Sequence, residues 1–167
     1  MDYQSLTPIT GNFINAGAVA GTTNSFTTTA AITPVIAGKY GTALGVLTNS
    51  ATTPTTDANT GTTFATILPN TTAAVVFGVN AAGTLVAVQG PAIPTETGVT
   101  TTVGAFILAP QFPAIPNDFG PFAYTVVRVA PSGTSGFILG STQWAASSMS
   151  CTTFKNICTL PARPQIA

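Results

Sequence analysis

Residues 110–144 read PQFPAIPNDFGPFAYTVVRVAPSGTSGFILGSTQW. Two kinds of chain meet in this stretch. In the first, Pro110, Pro113, Pro116 and Pro121 are interleaved with Phe112, Ile115, Phe119 and Phe122. Proline has no amide proton and a fixed φ, so residues 110–121 are expected to run as an extended, polyproline-like arm that cannot close its own hydrogen bonds. The second, residues 122–129, is the clearest strand in the sequence. Side chains alternate along a strand, which puts Phe122, Tyr124, Val126 and Arg128 on one side and Ala123, Thr125, Val127 and Val129 on the other. This strand is expected to organise the fold. The arm, with apolar side chains between its prolines, is expected to lie as a strap over a neighbouring subunit that buries Phe112, Ile115 and Phe119.

Upstream, residues 72–79 and 84–89 form a hairpin. Two β-rich runs flank Asn80-Ala81-Ala82-Gly83, a turn with Asn first and Gly last. Val75, Phe77 and Val79 share one face. Leu85 and Ala87 lie on one face of the second strand, Val86 and Val88 on the other. A strand that is apolar on both sides is normally covered on both sides, by a second layer or by a subunit interface. Residues 99–109 are a further strand candidate with Gly104 as a possible bulge. Residues 1–70 hold short apolar pieces between Gly, Asn, Pro and Thr, and the β-branched Thr27, Thr28, Thr29 and Thr33 favour extended backbone. Helical spacing of apolar residues is not sustained over three turns anywhere.

Downstream, residues 131–136 are a flexible connection. Residues 137–139 and 142–144 are apolar segments, 145–150 could be a short helix, and 151–158 look extended. Pro161 and Pro164 keep the tail out of a central strand. The expected fold is all-β: a small β-sandwich or barrel of short antiparallel strands, with an extended Pro/Phe-rich arm and a Pro-fixed C-terminal tail. It is read as one domain over residues 1–167, divided into short strands and loops (1–70), hairpin and strand (71–109), arm (110–121), and core strands with tail (122–167).

Composition narrows the function classes. Thr and Ala dominate, there is no His, and four cations balance four anions. An ordinary soluble domain is about a quarter charged, so hydroxyls and backbone must solvate this surface. Zero net charge leaves no long-range repulsion, and a free monomer should be adhesive. Four scattered cations cannot neutralise a run of phosphates, so no nucleic-acid partner is expected. The apolar runs are far short of the roughly 20 residues of a spanning helix, and the first residues lack a basic and apolar leader. The chain is therefore expected to be made in a cytoplasm, with no membrane partner.

Enzyme constellations fail by inventory. Without His there is no Ser-His-Asp triad and no His metal ligand. Asp57, Glu96 and Asp118 are far apart in sequence, and no phosphate-binding glycine motif follows a strand. Asp57-Ala58-Asn59-Thr60-Gly61 has the oxygen spacing of half a calcium loop, but the later ligands and the closing glutamate are missing. An Asx-type turn closed by Gly61 is expected instead. No catalytic residue, metal or cofactor is expected. Cys151 and Cys158 are expected to be reduced thiols, since a disulfide would need a chain reversal between them. Trp144 is expected in the core. Arg128, the one charge inside a strong strand, has two readings: a contact to a partner subunit, or a solvated charge that keeps an edge from aggregating.

The runs PTTDANTG (54–61), VVFGVNAAGTLVAVQGP (75–91), APQFPAIPNDFGPFAYTVVRV (109–129) and TLPARPQ (159–165) resemble small structural proteins of tailed bacteriophages, of the head decoration or cement type. The similarity spans most of the chain from about residue 52. It implies a β-rich virion subunit on the outer capsid surface, a homotrimer whose partner is the major capsid protein, bridging neighbouring capsid subunits. A tail or head fibre or spike component for host attachment is the alternative. The residues expected to make assembly contacts are Phe112, Ile115, Phe119, Phe122, Arg128 and Arg163.

Overall fold

The computed structural model describes residues 10–20, 24–48, 53–151 and 153–166, and every regular element among them is a β-strand. In chain order these are β1 (Gly11–Asn12), β2 (Val19–Ala20), β3 (Phe26–Thr27), β4 (Pro34–Ile36), β5 (Lys39–Tyr40), β6 (Thr71–Val79), β7 (Leu85–Gln89), β8 (Ile93–Pro94), β9 (Gly120–Val129), β10 (Met149–Cys151) and β11 (Lys155–Asn156). All named strand pairs are antiparallel. The main sheet runs β10-β9-β6-β7, with β11 also on β9 and β8 also on β6. Two small sheets, β1-β4-β5 and β2-β3, come from the N-terminal half. Among the described residues no sheet closes into a barrel.

The hairpin forms as its turn chemistry dictates. The Gly83 amide donates to the Asn80 carbonyl (3.0 Å) and the Thr84 amide to Asn80 Oδ1 (2.8 Å). Gly83 supplies the left-handed residue at φ +83. Val75 to Val79 then pair with Gln89 to Leu85 in unbroken register.

The β6–β9 pair is the centre of the molecule, and almost every residue in both strands is buried. Ala73, Val75, Phe77 and Val79 face the larger core with Ala123, Val127 and Val129. Val76 and Tyr124 face a smaller core on the opposite side. One expectation changes here. Strict alternation places Phe122 with Tyr124, yet Phe122 packs in the larger core. Phe77 pairs with Ala123 while Gly78 pairs with Pro121, so Phe122 is the extra residue of a β-bulge and the alternation is reset there. The bulge also lets Pro121 sit at the start of β9, where a missing amide is tolerated.

Strand is scarce, so irregular chain covers both faces. Over the larger core lie Phe26, Ile32, Phe64, Ile67, Phe137, Leu139, Trp144 and Phe154. Phe26 stacks on Phe77 with ring centroids 4.9 Å apart, and Trp144 and Phe154 meet edge to face at 5.5 Å. Trp144 satisfies its one polar atom by donating from Nε1 to the Ser25 carbonyl at 2.8 Å, as a buried indole must. The smaller core is covered by Phe112 and Ile115 from the arm and by Ile157 and Leu160 from the C-terminal segment.

That cover corrects the reading of residues 110–121 as a strap awaiting a neighbour. The arm folds back on its own sheet. Phe112 meets the Tyr124 ring edge to face at 4.9 Å, and Phe119 is fully buried. Asn59 Nδ2 donates to the Ala114 carbonyl, and Asp118 Oδ1 accepts from the Ala81 amide at 2.8 Å. Gly78 makes the closure possible, because a Cβ there would lie 2.3 Å from the Phe119 ring. The physical reason is the second apolar face of β6–β9, which needs cover within the chain. Two smaller expectations also fail. Residues 99–109 are not a strand, and 145–148 form turns leading into β10 rather than a helix.

We expect the double substitution of Phe112 and Ile115 by Ala to destabilise the isolated chain by about 2–4 kcal/mol, since it uncovers Tyr124, Val76 and Val88. Urea denaturation measures it. An unchanged midpoint would return the arm to the role of a strap for a neighbour.

Candidate interaction surface

Residues 95–109 leave the main sheet after β8 and return to the arm. The excursion is held together by antiparallel bridges between Thr95 and Phe106 and between Val99 and Thr102. The Glu96 amide donates to the Ala105 carbonyl at 2.9 Å, and Val99 and Thr102 exchange amide–carbonyl bonds of 3.0 and 2.8 Å. Gly104 is required at the crossing, because a Cβ there would lie 1.7 Å from the Glu96 carbonyl oxygen. At the tip, Thr100 holds φ +49, a left-handed conformation that a β-branched residue adopts only under strain. The Ser132 amide secures it by donating to the Thr100 carbonyl at 3.0 Å, and the Gly98 amide donates to Asn70 Oδ1 at 3.1 Å.

Arg128 ties the excursion to β9. Its Nη1 donates to the Gly104 carbonyl at 3.1 Å, and its guanidinium carbon lies 4.5 Å from the centroid of the Phe106 ring. A planar, weakly hydrated cation suits this stacked position better than an ammonium would. Partial burial lowers the guanidinium pKa from its ordinary value by desolvation, and Nε is buried with no hydrogen-bond partner. Arg128 therefore corresponds to neither sequence reading. It is a half-buried clamp, on an internal strand, for a segment of the same chain.

What the clamp holds is an apolar surface. Val99, Ile107 and Leu108 expose 74%, 58% and 62% of their area. The next residue, Ala109, lines a groove of about 470 Å³ with the tail residues Pro161 to Ile166, Arg163 among them. The tail is fixed by the Gln165 amide, which donates to the Tyr124 hydroxyl at 2.9 Å, and by the burial of Pro164. Arg163 and Glu96 are both exposed.

The six residues expected to make assembly contacts thus divide. Phe119 and Phe122 are fully buried, in the two opposite cores of this chain. Phe112 and Ile115 are half-buried against the chain's own sheet, Arg128 is enclosed by the excursion, and only Arg163 stands free on the surface. The exposure of Val99, Ile107 and Leu108 was hidden in the sequence by the β-like composition of residues 99–109. The signal for it was Gly98 and Gly104, which bracket a loop too tight for a regular strand.

Asp57 is a structural carboxylate. Oδ1 accepts from the Asn59 amide at 2.7 Å and the Asp57 carbonyl accepts from Gly61 at 2.9 Å, the Asx turn expected from the sequence. Oδ2 accepts from the Gln89 amide at 2.9 Å, and Ala58 donates to the Ala87 carbonyl at 2.9 Å. The loop thereby covers part of the β7 edge, which would otherwise offer unpaired groups to another chain. Among the described residues no three His, Cys, Asp or Glu side chains gather to hold a metal ion, and no helix is long and apolar enough to cross a membrane.

Both cysteines are free. Cys151 lies in β10, half-buried by surface, and desolvation pushes its pKa up to about 12. Cys158 is exposed. The neutral Cys151 thiol is favoured by the fold, so its contribution to stability is complete below the ordinary thiol range and fades as pH rises toward 12.

We expect Arg128→Met to leave the global unfolding midpoint within about 1 kcal/mol, because the aliphatic stem still packs. It should raise amide exchange at Glu96 and Thr102 selectively, and uniform protection would show that the guanidinium is not the clamp. With a thiol reagent at pH 8, Cys158 is expected to react at once and Cys151 only on unfolding, since the thiolate is the reactive form. Two equally fast thiols would contradict that assignment.

No protein-family model, curated protein or solved structure matches the chain.

Proposed function

We propose that the chain is a virion structural subunit of the decoration or cement type, which binds the outside of a phage head and bridges neighbouring major capsid proteins. The observation that supports it is the character of the surface. Phe13, Tyr40, Val99, Ile107, Leu108 and Ile166 are large, apolar and exposed, on a chain with four cations and four anions. Scattered single apolar residues are ordinary, but adjacent ones on an otherwise weakly charged surface suit burial against another protein. The resemblance of residues 54–61, 75–91, 109–129 and 159–165 to phage structural proteins gives the assembly its class. The work is passive in this reading. Each copy adds a modest interface, and many copies sum by multivalency to resist expansion of the shell. No catalysis, cofactor, nucleic acid or membrane enters.

Purified protein is expected to bind expanded heads saturably and to leave procapsids and tail fractions bare. Because few charges take part, raising salt from about 0.1 to 0.5 M, which shortens the screening length about twofold, should change the affinity less than about threefold. Binding to tails or host cells alone would replace this function with host attachment.

A further inference from the structure

We propose that the open edge of the main sheet at β10, with the apolar cleft beside it, takes an extended, uncharged segment of a partner protein as an added strand. The proposal rests on the assembly reading for the partner, the major capsid protein. It goes beyond that reading in naming where and how the partner docks.

The main sheet ends on β7 at one side and on β10 at the other. The β7 edge is closed by the Asp57 loop, with the Ala58 amide on the Ala87 carbonyl and the Gln89 amide on Asp57 Oδ2. β10 has no such cover among the described residues. The Ala130 amide donates to the Ser148 carbonyl at 2.7 Å. Alternate residues of an antiparallel strand turn their backbone groups to the partner strand. Ser150 therefore bonds Arg128, which it faces in register, while Met149 and Cys151 turn their groups away from β9. The Met149 amide is taken by the Ala146 carbonyl at 3.0 Å. The Met149 carbonyl and both Cys151 backbone groups have no partner among the described residues. These outward groups call for an extended backbone, the mode in which a peptide joins a sheet.

The edge comes with a place for a side chain. A cleft of about 320 Å³ has Val19 and Ala20 of β2 on one side and Cys151 and Thr153 on the other. Trp144 and Phe154, each only 7% exposed, give it an aromatic base. Asn156 accounts for the gap. Its Oδ1 accepts from the Ala18 amide at 2.7 Å and its Nδ2 donates to the Ala18 carbonyl at 3.3 Å. The chain entering β2 is thus tied to β11 through a side chain, which spaces them more widely than strand pairing would. No charged side chain lines the cleft, so an acidic or basic segment finds no complement there. An uncharged strand with one large aliphatic or aromatic side chain satisfies both features together. The backbone pairs with β10 and the side chain enters the cleft. Main-chain bonds then supply affinity and the cleft supplies selection.

Expanded heads and the full chain test the docking. Head binding is expected to slow amide exchange in residues 149–153 and to leave 85–89, on the covered edge, unchanged. Cys151→Pro removes the outward amide without costing a bond to β9, and should weaken head binding about tenfold. Cys151→Ala keeps that amide and should bind as the unsubstituted chain does. Ala20→Trp, at an exposed position on the rim, should fill the cleft and weaken binding at least as much, with the thermal midpoint retained. If Cys151→Pro does not fold, Ala20→Trp and the exchange pattern decide. Normal binding by Ala20→Trp, or exchange at 149–153 that heads do not slow, overturns the proposal and leaves head binding as the function. An unsubstituted chain that does not bind heads overturns both.

Discussion

The antiparallel pair β6–β9 is buried on both faces, and the rest of the chain is arranged to meet that condition. Apolar side chains stand on each side of both strands, so neither face can be left to water. A longer protein would lay helices or a second full sheet over them. This one has little regular structure besides the pair, and it uses loops, turns and two-residue strands. Their own polar backbone must then be satisfied, which explains the large share of single, specific bonds such as Trp144 to Ser25 and Gln165 to Tyr124.

The same condition explains why so few charges suffice. Segments that cover a sheet contribute hydroxyls and amides to the surface rather than ions. Thr and Ala are small enough to let irregular chain approach the sheet closely, and a buried Thr hydroxyl can find a backbone partner across strands, as Thr72 Oγ1 of β6 does in donating to the Val127 carbonyl of β9 at 2.9 Å. Three of the charged groups have particular tasks. Asp57 closes the β7 edge, Asp118 ties the arm to the hairpin turn, and Arg128 holds the excursion. In these three the charge serves a directed bond rather than general solvation.

Much of this was legible in the residues. The 72–89 hairpin, its Asn80–Gly83 turn, the two-faced strand at 122–129, the Asx turn at Asp57 and the core position of Trp144 all follow from local rules. Those rules operate within a few residues, and so they hold. What was not legible depends on contacts distant in sequence. The bulge at Phe122 is set by the partner strand β6, which no pattern within 122–129 reveals. The arm carries the same residues whether its cover is its own sheet or a neighbour's, and only the location of Val76, Val88 and Tyr124 decides. Residues 99–109 have strand composition but no strand to pair with. For the candidate surface, sequence singled out Arg163 in the tail and Arg128 as the one charge inside a strong strand, while the exposure of Ile107 and Leu108 required knowing which apolar residues the core had already used.

The placement of the two covers has a consequence for how the protein is made. The larger face of β6–β9 is covered partly by Phe26 and Ile32 and partly by Phe154, and the smaller face by Phe112, Ile115 and Leu160. On a ribosome, β6 emerges with its N-terminal cover ready but without β9. β9 in turn emerges before the segment that supplies β10, β11 and Leu160. Until that last segment is free, the nascent chain carries its most apolar strands with both faces only partly covered and an edge unpaired, a state prone to aggregation. Long-range pairing of this kind is also slow. Synthesis rate and holding chaperones therefore bear on the yield of this fold more than on its final stability.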